Sequence, residues 1–280
     1  METLFLQIGN GLFIGSVYAL VALGLNVIWS IADVPDFSQG SIYVVSAYIS
    51  YFAVTLANFP YVLALVLGMC VGSSMAFTFE RFLYRRWRGA GRVQLLCAIA
   101  LFFLWSNVVN ALWTAKAKIF PAYLKGGTFG FSYMRFVVVA VAAILFVLVY
   151  FFIMKTKIGK AIRAASQDSE AAQVLGININ TVNSVVFMLG GALSGAAAVL
   201  VSPLYAIFPS MGDLPLLKAL VVVILGGFGT VGGVLICGLG LGVLEALGAG
   251  YISSAYQHGY AFIILIIVLS FLPKGLFGRV

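Results

Sequence analysis

Long apolar runs separated by short polar stretches set the pattern of this chain. The runs cover residues 4–31, 42–57, 61–79, 93–113, 136–154, 182–201, 216–225, 234–249 and 260–272. None alternates apolar and polar residues as a membrane β-barrel strand does, so the pattern predicts helices. Most are near the ~20 residues that span ~30 Å of hydrocarbon, whereas 216–225 is short for a crossing. The predicted fold class is an all-α, polytopic membrane helix bundle of about eight crossings with interrupted or re-entrant segments. Residues 1–280 read as a single transmembrane domain with no soluble domain or linker.

Composition agrees: 63% of residues are hydrophobic and 9% charged, with a mean hydropathy of +1.12. A water-soluble globule cannot bury that much apolar surface. The formal charge of +8 suggests nucleic acid until the basic residues are located. Arg85, Arg86, Arg88 and Arg92, and then Lys155, Lys157, Lys160 and Arg163, stand at the ends of apolar runs. The positive-inside bias explains them, places both segments in the cytoplasm and removes the case for nucleic acid. Counting crossings back puts the N-terminus outside and the C-terminus inside, with the Lys116, Lys118 and Lys125 loop outside against that bias. The first residues carry an acid and no Lys or Arg, so no removable signal peptide is expected. Cys70, Cys97 and Cys237 lie far apart in apolar surroundings and read as packing residues.

Residues 155–178 form the longest stretch that reads as a solvated helix-turn-helix. Asp168 is placed to accept from the free amides of a short helix, and Glu170 adds negative charge at its positive end. Ala171, Ala172, Val174 and Leu175 carry the helix, and Gly176 can take the left-handed conformation that closes it, with Ile177 folding back. A helix this short needs support from the bundle behind it or a partner in front.

The chain offers no catalytic constellation, no metal-ligand spacing and no G-x-x-x-x-G-K-[ST] loop to hold nucleotide phosphates. The lone His258 reads as a surface residue. Polar groups within or beside apolar runs remain, and they are costly in lipid. Asp33, Pro35, Asp36, Phe37, Ser38, Gln39 and Ser41 interrupt the chain after the first run, with Asn26 one to two turns earlier. Gly226, Gly227 and Thr230 belong to a glycine-rich break over 226–233. Each break reads either as lining for a solute pathway or as a turn at the membrane surface, since unwound backbone at depth must face protein or a watery cavity. Glu245 reads as a pathway acid or an interfacial one. The glycine rows 190, 191, 195 and 238, 240, 242 read as close helix packing. Residues 19–24 and 219–226 echo each other weakly, as matching interrupted helices or as a coincidence of composition.

Three ordered motifs resemble one family. Ile31-Ala-Asp-Val-Pro-Asp36-Phe37-Ser-Gln-Gly40-Ser-Ile-Tyr43 resembles the Asn-Phe-Ala-His-Gly segment of branched-chain amino acid ABC transporter permeases. Residues 159–177 resemble that family's cytoplasmic coupling loop, and 225–246 its C-terminal glycine-rich segment. The resemblance implies the permease subunit of an ATP-driven importer in a bacterial inner membrane, not itself an enzyme. It also implies a second, related permease subunit, two ATPase subunits that bind the ATP, and a periplasmic solute-binding protein. This chain would then need no cofactor of its own. Coupling to the ATPases would fall on Arg163, Asp168, Ala171, Ala172, Leu175 and Gly176. Asn26, Asp36, Phe37, Ser38, Gln39, Gly226, Gly227 and Thr230 would line the solute path. Asp36, Gln39 and Ser41 depart from the family's usual Asn, His and Glu, which leaves branched-chain amino acids, amides, urea and aromatic acids open as solutes. The alternative readings are a stand-alone secondary transporter or channel using Asp33, Asp36 or Glu245, and a structural membrane subunit.

Overall fold

The structure, a computed structural model, describes residues 2–121, 127–128, 131–272 and 275–277. Lys125, named above, lies outside them. Among the described residues the helices are α1 (Glu2–Ala32), α2 (Ser38–Ala57), α3 (Tyr61–Phe79), α4 (Gly91–Trp113), α5 (Tyr133–Lys155), α6 (Lys157–Gln167), α7 (Ser169–Val174), α8 (Ile179–Val201), α9 (Asp213–Gly226), α10 (Val231–Tyr251) and α11 (Gln257–Phe271). Gly127–Thr128 pairs antiparallel with Phe131–Ser132. Among the described residues, eight helical segments are long and apolar enough to cross a membrane, and α9, with 14 residues, is not one of them.

Both predicted breaks are shorter than the polar pattern suggests. Ser38, Gln39, Gly40 and Ser41 belong to α2, because polar side chains satisfy its start. Asp36 Oδ1 accepts from the Ser38 amide at 3.0 Å and the Ser38 hydroxyl at 2.6 Å, and the Ser41 hydroxyl donates to the Ser38 carbonyl at 2.7 Å. The glycine break likewise contracts to 227–230, since α10 begins at Val231.

Helix α1 is the central post, packed against α10, α8, α9 and α5. Its small residues let backbones approach: a Cβ on Gly15 would meet the Gly238 carbonyl oxygen at 2.7 Å, and one on Gly24 the Gly190 carbonyl oxygen at 2.9 Å. Gly72 of α3 is pressed against the backbone of Gly191 of α8 in the same way. Lipid tails are as apolar as leucine, so close van der Waals packing holds such helices together. Gly240 is the exception in the predicted rows, facing open space. Gly72→Leu should therefore cost roughly 1–3 kcal/mol or more by overpacking, and Gly240→Leu almost nothing. The midpoints of thermal unfolding in detergent measure the difference, and equal midpoints would show that the glycine contact does not hold α3 to α8.

Helices α4, α5 and α11 carry their large apolar residues outward, among them Leu96, Phe103, Ile144, Leu148, Ile263 and Ile266. Such faces suit hydrocarbon as solvent. Cys237 is packed in the core, whereas Cys70 lies on the exposed side of α3, which corrects its reading as a packing residue.

Candidate functional site

The 155–178 loop folds as its caps dictate. The Thr156 hydroxyl accepts from the Gly159 amide at 2.9 Å to start α6. Asp168 Oδ1 accepts from the amides of Glu170 and Ala171, both at 2.9 Å, to start α7. At the far end Gly176 has φ +83°, and the Ile177 amide returns to the Ala172 carbonyl at 3.0 Å, the closure expected of a left-handed glycine cap. Arg163 donates to the Ile153 carbonyl at the end of α5, so it anchors α6 to a membrane helix and is only half exposed. The direction of Ala172 corrects the sequence reading: it is 2% exposed and faces the bundle. The apolar tip that projects is Val174, 88% exposed, and Leu175, 81% exposed. Ala171 and Asp168 are exposed beside them.

Behind this loop lies a cavity of about 810 Å³, lined by Ser30 and Asp33 at the end of α1, Arg163 and Ser166 of α6, and Gly229 and Thr230 of the glycine break. Residues of the 155–178 loop and of the glycine break thus share one cavity. Asn26 holds the break in place. It is fully buried, its Oδ1 accepts from the Gly229 amide at 3.0 Å, and its Nδ2 reaches the Thr230 carbonyl at 3.4 Å. Gly227 has φ +81° and Gly229 φ +75°, a backbone that favours glycine at both positions. Gly226 is buried against Gly233.

The predicted residues of the first break gather elsewhere. Asp36, Ser38 and Gln39 are each at most 1% exposed, and Phe37 is half-buried. In this conformation they pack inside protein. Asp36 Oδ1 also accepts from the Tyr84 hydroxyl at 2.6 Å, and Gln39 Oε1 accepts from the Ser194 hydroxyl of α8. Tyr84 ends a π-helical turn, Glu80–Tyr84, that continues α3.

The arginines after α3 also hold helices together. Glu80 is fully buried and receives Arg85 through Nε at 3.2 Å and Nη2 at 2.9 Å, Arg88 at 3.4 Å and the Ser184 hydroxyl of α8 at 2.8 Å. Arg88 also donates to Asn180 Oδ1 at 2.7 Å. Burial lowers the Arg88 pKa from its ordinary value while Glu80 opposes the shift, and a guanidinium stays charged. Hydrogen bonds therefore run from Asn180, just beyond the 155–178 loop, through Arg88 to Glu80 at one end of the π-helical turn, and from Tyr84 at its other end to Asp36 and the start of α2.

A second polar cluster escapes the sequence reading. Lys218 of α9 pairs with Glu245 of α10 at 2.5 Å, each 1% exposed. Lys218 Nζ donates to the Tyr18 hydroxyl at 2.8 Å and meets His258 Nδ1 at 3.1 Å, and the Tyr18 hydroxyl donates to Glu245 Oε2 at 3.1 Å. Glu245 is thus an acid with a buried partner, neither interfacial nor free, and the exposed His258 is tied to that pair. The signal was present: one lysine and one glutamate of opposite sign, each alone in an apolar run, where intramembrane charges pair with one another.

The family model described as the permease component of branched-chain amino acid transport systems matches residues 7–270. The chain is 35% identical to the high-affinity branched-chain amino acid transport system permease protein BraD of Pseudomonas aeruginosa, covering 98% of this chain and 95% of that protein. It is 28% identical to the ribose import permease protein RbsC of Haemophilus influenzae over 91% of this chain and 81% of that one. Among solved structures, PsaBC from Streptococcus pneumoniae in complex with Fab superposes with a TM-score of 0.52 at 13% identity, covering 95% of this chain and 91% of that one, a likeness of fold alone. With the family pattern running through α1 to α11, this chain belongs to the family of permease components of branched-chain amino acid transport systems.

Proposed function

We propose that this chain is the membrane permease subunit of an ATP-driven importer that moves branched-chain amino acids, or a related small amphipathic solute, inward by alternating access. The match with transport permeases along nearly the whole chain carries this reading. Two ATPase subunits supply the ATP chemistry, a second permease subunit completes the passage, and a periplasmic binding protein delivers solute. Two of the three acids that the stand-alone transporter reading needs are already engaged, Glu245 with Lys218 and Asp36 as a cap.

In this reading the Val174–Leu175 tip seats on an ATPase subunit, held from behind by Arg163 and by Ala172 buried against the bundle. Movement of the tip reaches the glycine break through the shared cavity, and the start of α2 through the Asn180–Arg88–Glu80 and Tyr84–Asp36 contacts. Coupling is real only if these contacts differ between two states. Reconstitution with the ATPases, partner permease and binding protein tests the function: ATP-dependent uptake is expected, and uptake without ATPases would support the stand-alone transporter.

The same reading orients the chain with its N-terminus outside, its C-terminus inside and the 155–178 loop in the cytoplasm of a bacterial inner membrane. Single cysteines at Arg88 and Ser166 are expected to react with a membrane-impermeant thiol reagent only from the cytoplasmic side. A cysteine at Lys116, in the loop after α4, should react only from outside. Labelling of Arg88 and Lys116 positions from one side would overturn this topology.

A further inference from the structure

At the opposite end of the bundle from the coupling loop lies a second cavity, of about 330 Å³, within the roughly 300–1,000 Å³ of small-molecule sites. It sits between α1, the segment after α8 and the start of α11. Helix α8 connects the two ends, leaving the coupling loop at Asn178 and reaching this cavity at Val201. Most of the wall is apolar or aromatic, with Phe13 stacked on Tyr205 at 6.5 Å. The polar groups are the hydroxyls of Tyr18, Tyr43 and Tyr205, with Gln257 and His258.

The buried Lys218–Glu245 pair stands behind this wall and determines what it can offer. An ammonium has three donors and no acceptor, and Lys218 meets three acceptors: Glu245 Oε1, the Tyr18 oxygen and His258 Nδ1. The imidazole must therefore accept at Nδ1, which assigns its proton to Nε2. Tyr18 spends its own proton on Glu245. What remains for a solute from this cluster is the Nε2–H of His258, with the Gln257 amide beside it.

We propose that this cavity is the receiving site for solute at the outer face, and that it takes a small amphipathic amino acid or monocarboxylate. The carboxylate accepts from His258 Nε2–H and the Gln257 amide, an amino acid's ammonium donates to the hydroxyl oxygens of Tyr43 and Tyr205, and the apolar side chain lies against Phe13. The wall presents no unpaired acid for a ligand of net positive charge and no free cation for a multiply charged anion. This assignment rests on the importer reading and deepens it by naming where the solute is received and which side chains select it.

The test is ATP-driven uptake of radiolabelled L-leucine and D-ribose by the complete complex in proteoliposomes, with ATP hydrolysis followed in parallel. Uptake of neither solute by the native complex, nor of an aromatic amino acid or short amide, would overturn the importer reading itself. Ala206→Trp fills the cavity from an exposed position of its wall and is expected to lower leucine uptake about tenfold or more while binding-protein-stimulated ATP hydrolysis persists. His258→Phe, which removes the Nε2 donor, is expected to raise the half-saturating leucine concentration about tenfold, whereas His258→Gln, which keeps a donor and an acceptor, restores most of it. Assembly is checked by co-purification with the ATPases. If Ala206→Trp does not assemble, the His258 pair decides alone. Native leucine uptake in Ala206→Trp, equal loss in both His258 variants, or preference for ribose would overturn the site.

Discussion

Lys218→Met is expected to destabilise the protein by about 3–5 kcal/mol, because it strands the Glu245 carboxylate in the bundle with Tyr18 as its only donor. Both members of the pair are 1% exposed, so water cannot replace the lost ammonium without opening the packing of α1, α9 and α10. Removing both charges is a different experiment. Lys218→Met with Glu245→Met leaves no uncompensated charge and is expected to recover most of the loss, since a buried ion pair contributes little net stability over apolar residues of similar volume. Thermal unfolding of the purified protein in detergent reads both variants. A single variant as stable as the native chain would mean that the pair is not formed, and a double variant no better than the single would place the cost in packing instead of charge.

Leu175→Asp, alone or with Val174→Asp, is expected to cut coupled ATP hydrolysis and uptake by roughly tenfold or more while leaving the chain inserted and folded. A few fully desolvated apolar residues carry most of the energy of an interface, and these two project from α7 more than 80% exposed. Their exposure also means that the isolated subunit loses nothing when they change. Ala172→Glu is a poor test of docking, because it buries a charge against the bundle and acts on folding first. Gly176→Val tests the cap: φ +83° is strained for a β-branched residue by roughly 1–3 kcal/mol, so the tip should lose its fixed direction and coupling should weaken. Coupling at the native level in both Leu175→Asp and Gly176→Val would remove the loop from the ATPase contact.

The two clusters hold the two ends of the bundle. Near the 155–178 loop, Glu80, Arg85 and Arg88 tie α3 to α8, and Tyr84, in the same π-helical turn, bonds to Asp36. At the other end, Lys218 and Glu245 tie α9 to α10 and orient Tyr18 and His258. Each places a charge-assisted network, stronger than neutral hydrogen bonds, where helices of distant sequence meet.

By itself the sequence determined the crossing helices, the basic segments at their ends and the capped turn at 168–177. These depend on groups a few residues apart: apolar run length, a carboxylate two or three residues from the amides it accepts, and a glycine free to adopt positive φ. Only the tertiary structure decided where the breaks end, that Ala172 points inward while Val174 and Leu175 point out, and that Asn26 pins a glycine 203 residues away. It also decided that Tyr84 reaches Asp36 48 residues back and that Lys218 answers Glu245. In a chain so rich in Ala, Leu, Val and Gly, hydrophobic periodicity assigns helices but not their neighbours. Partner choice rests instead on backbone approach at glycines and on the few polar groups that lipid compels to find one another.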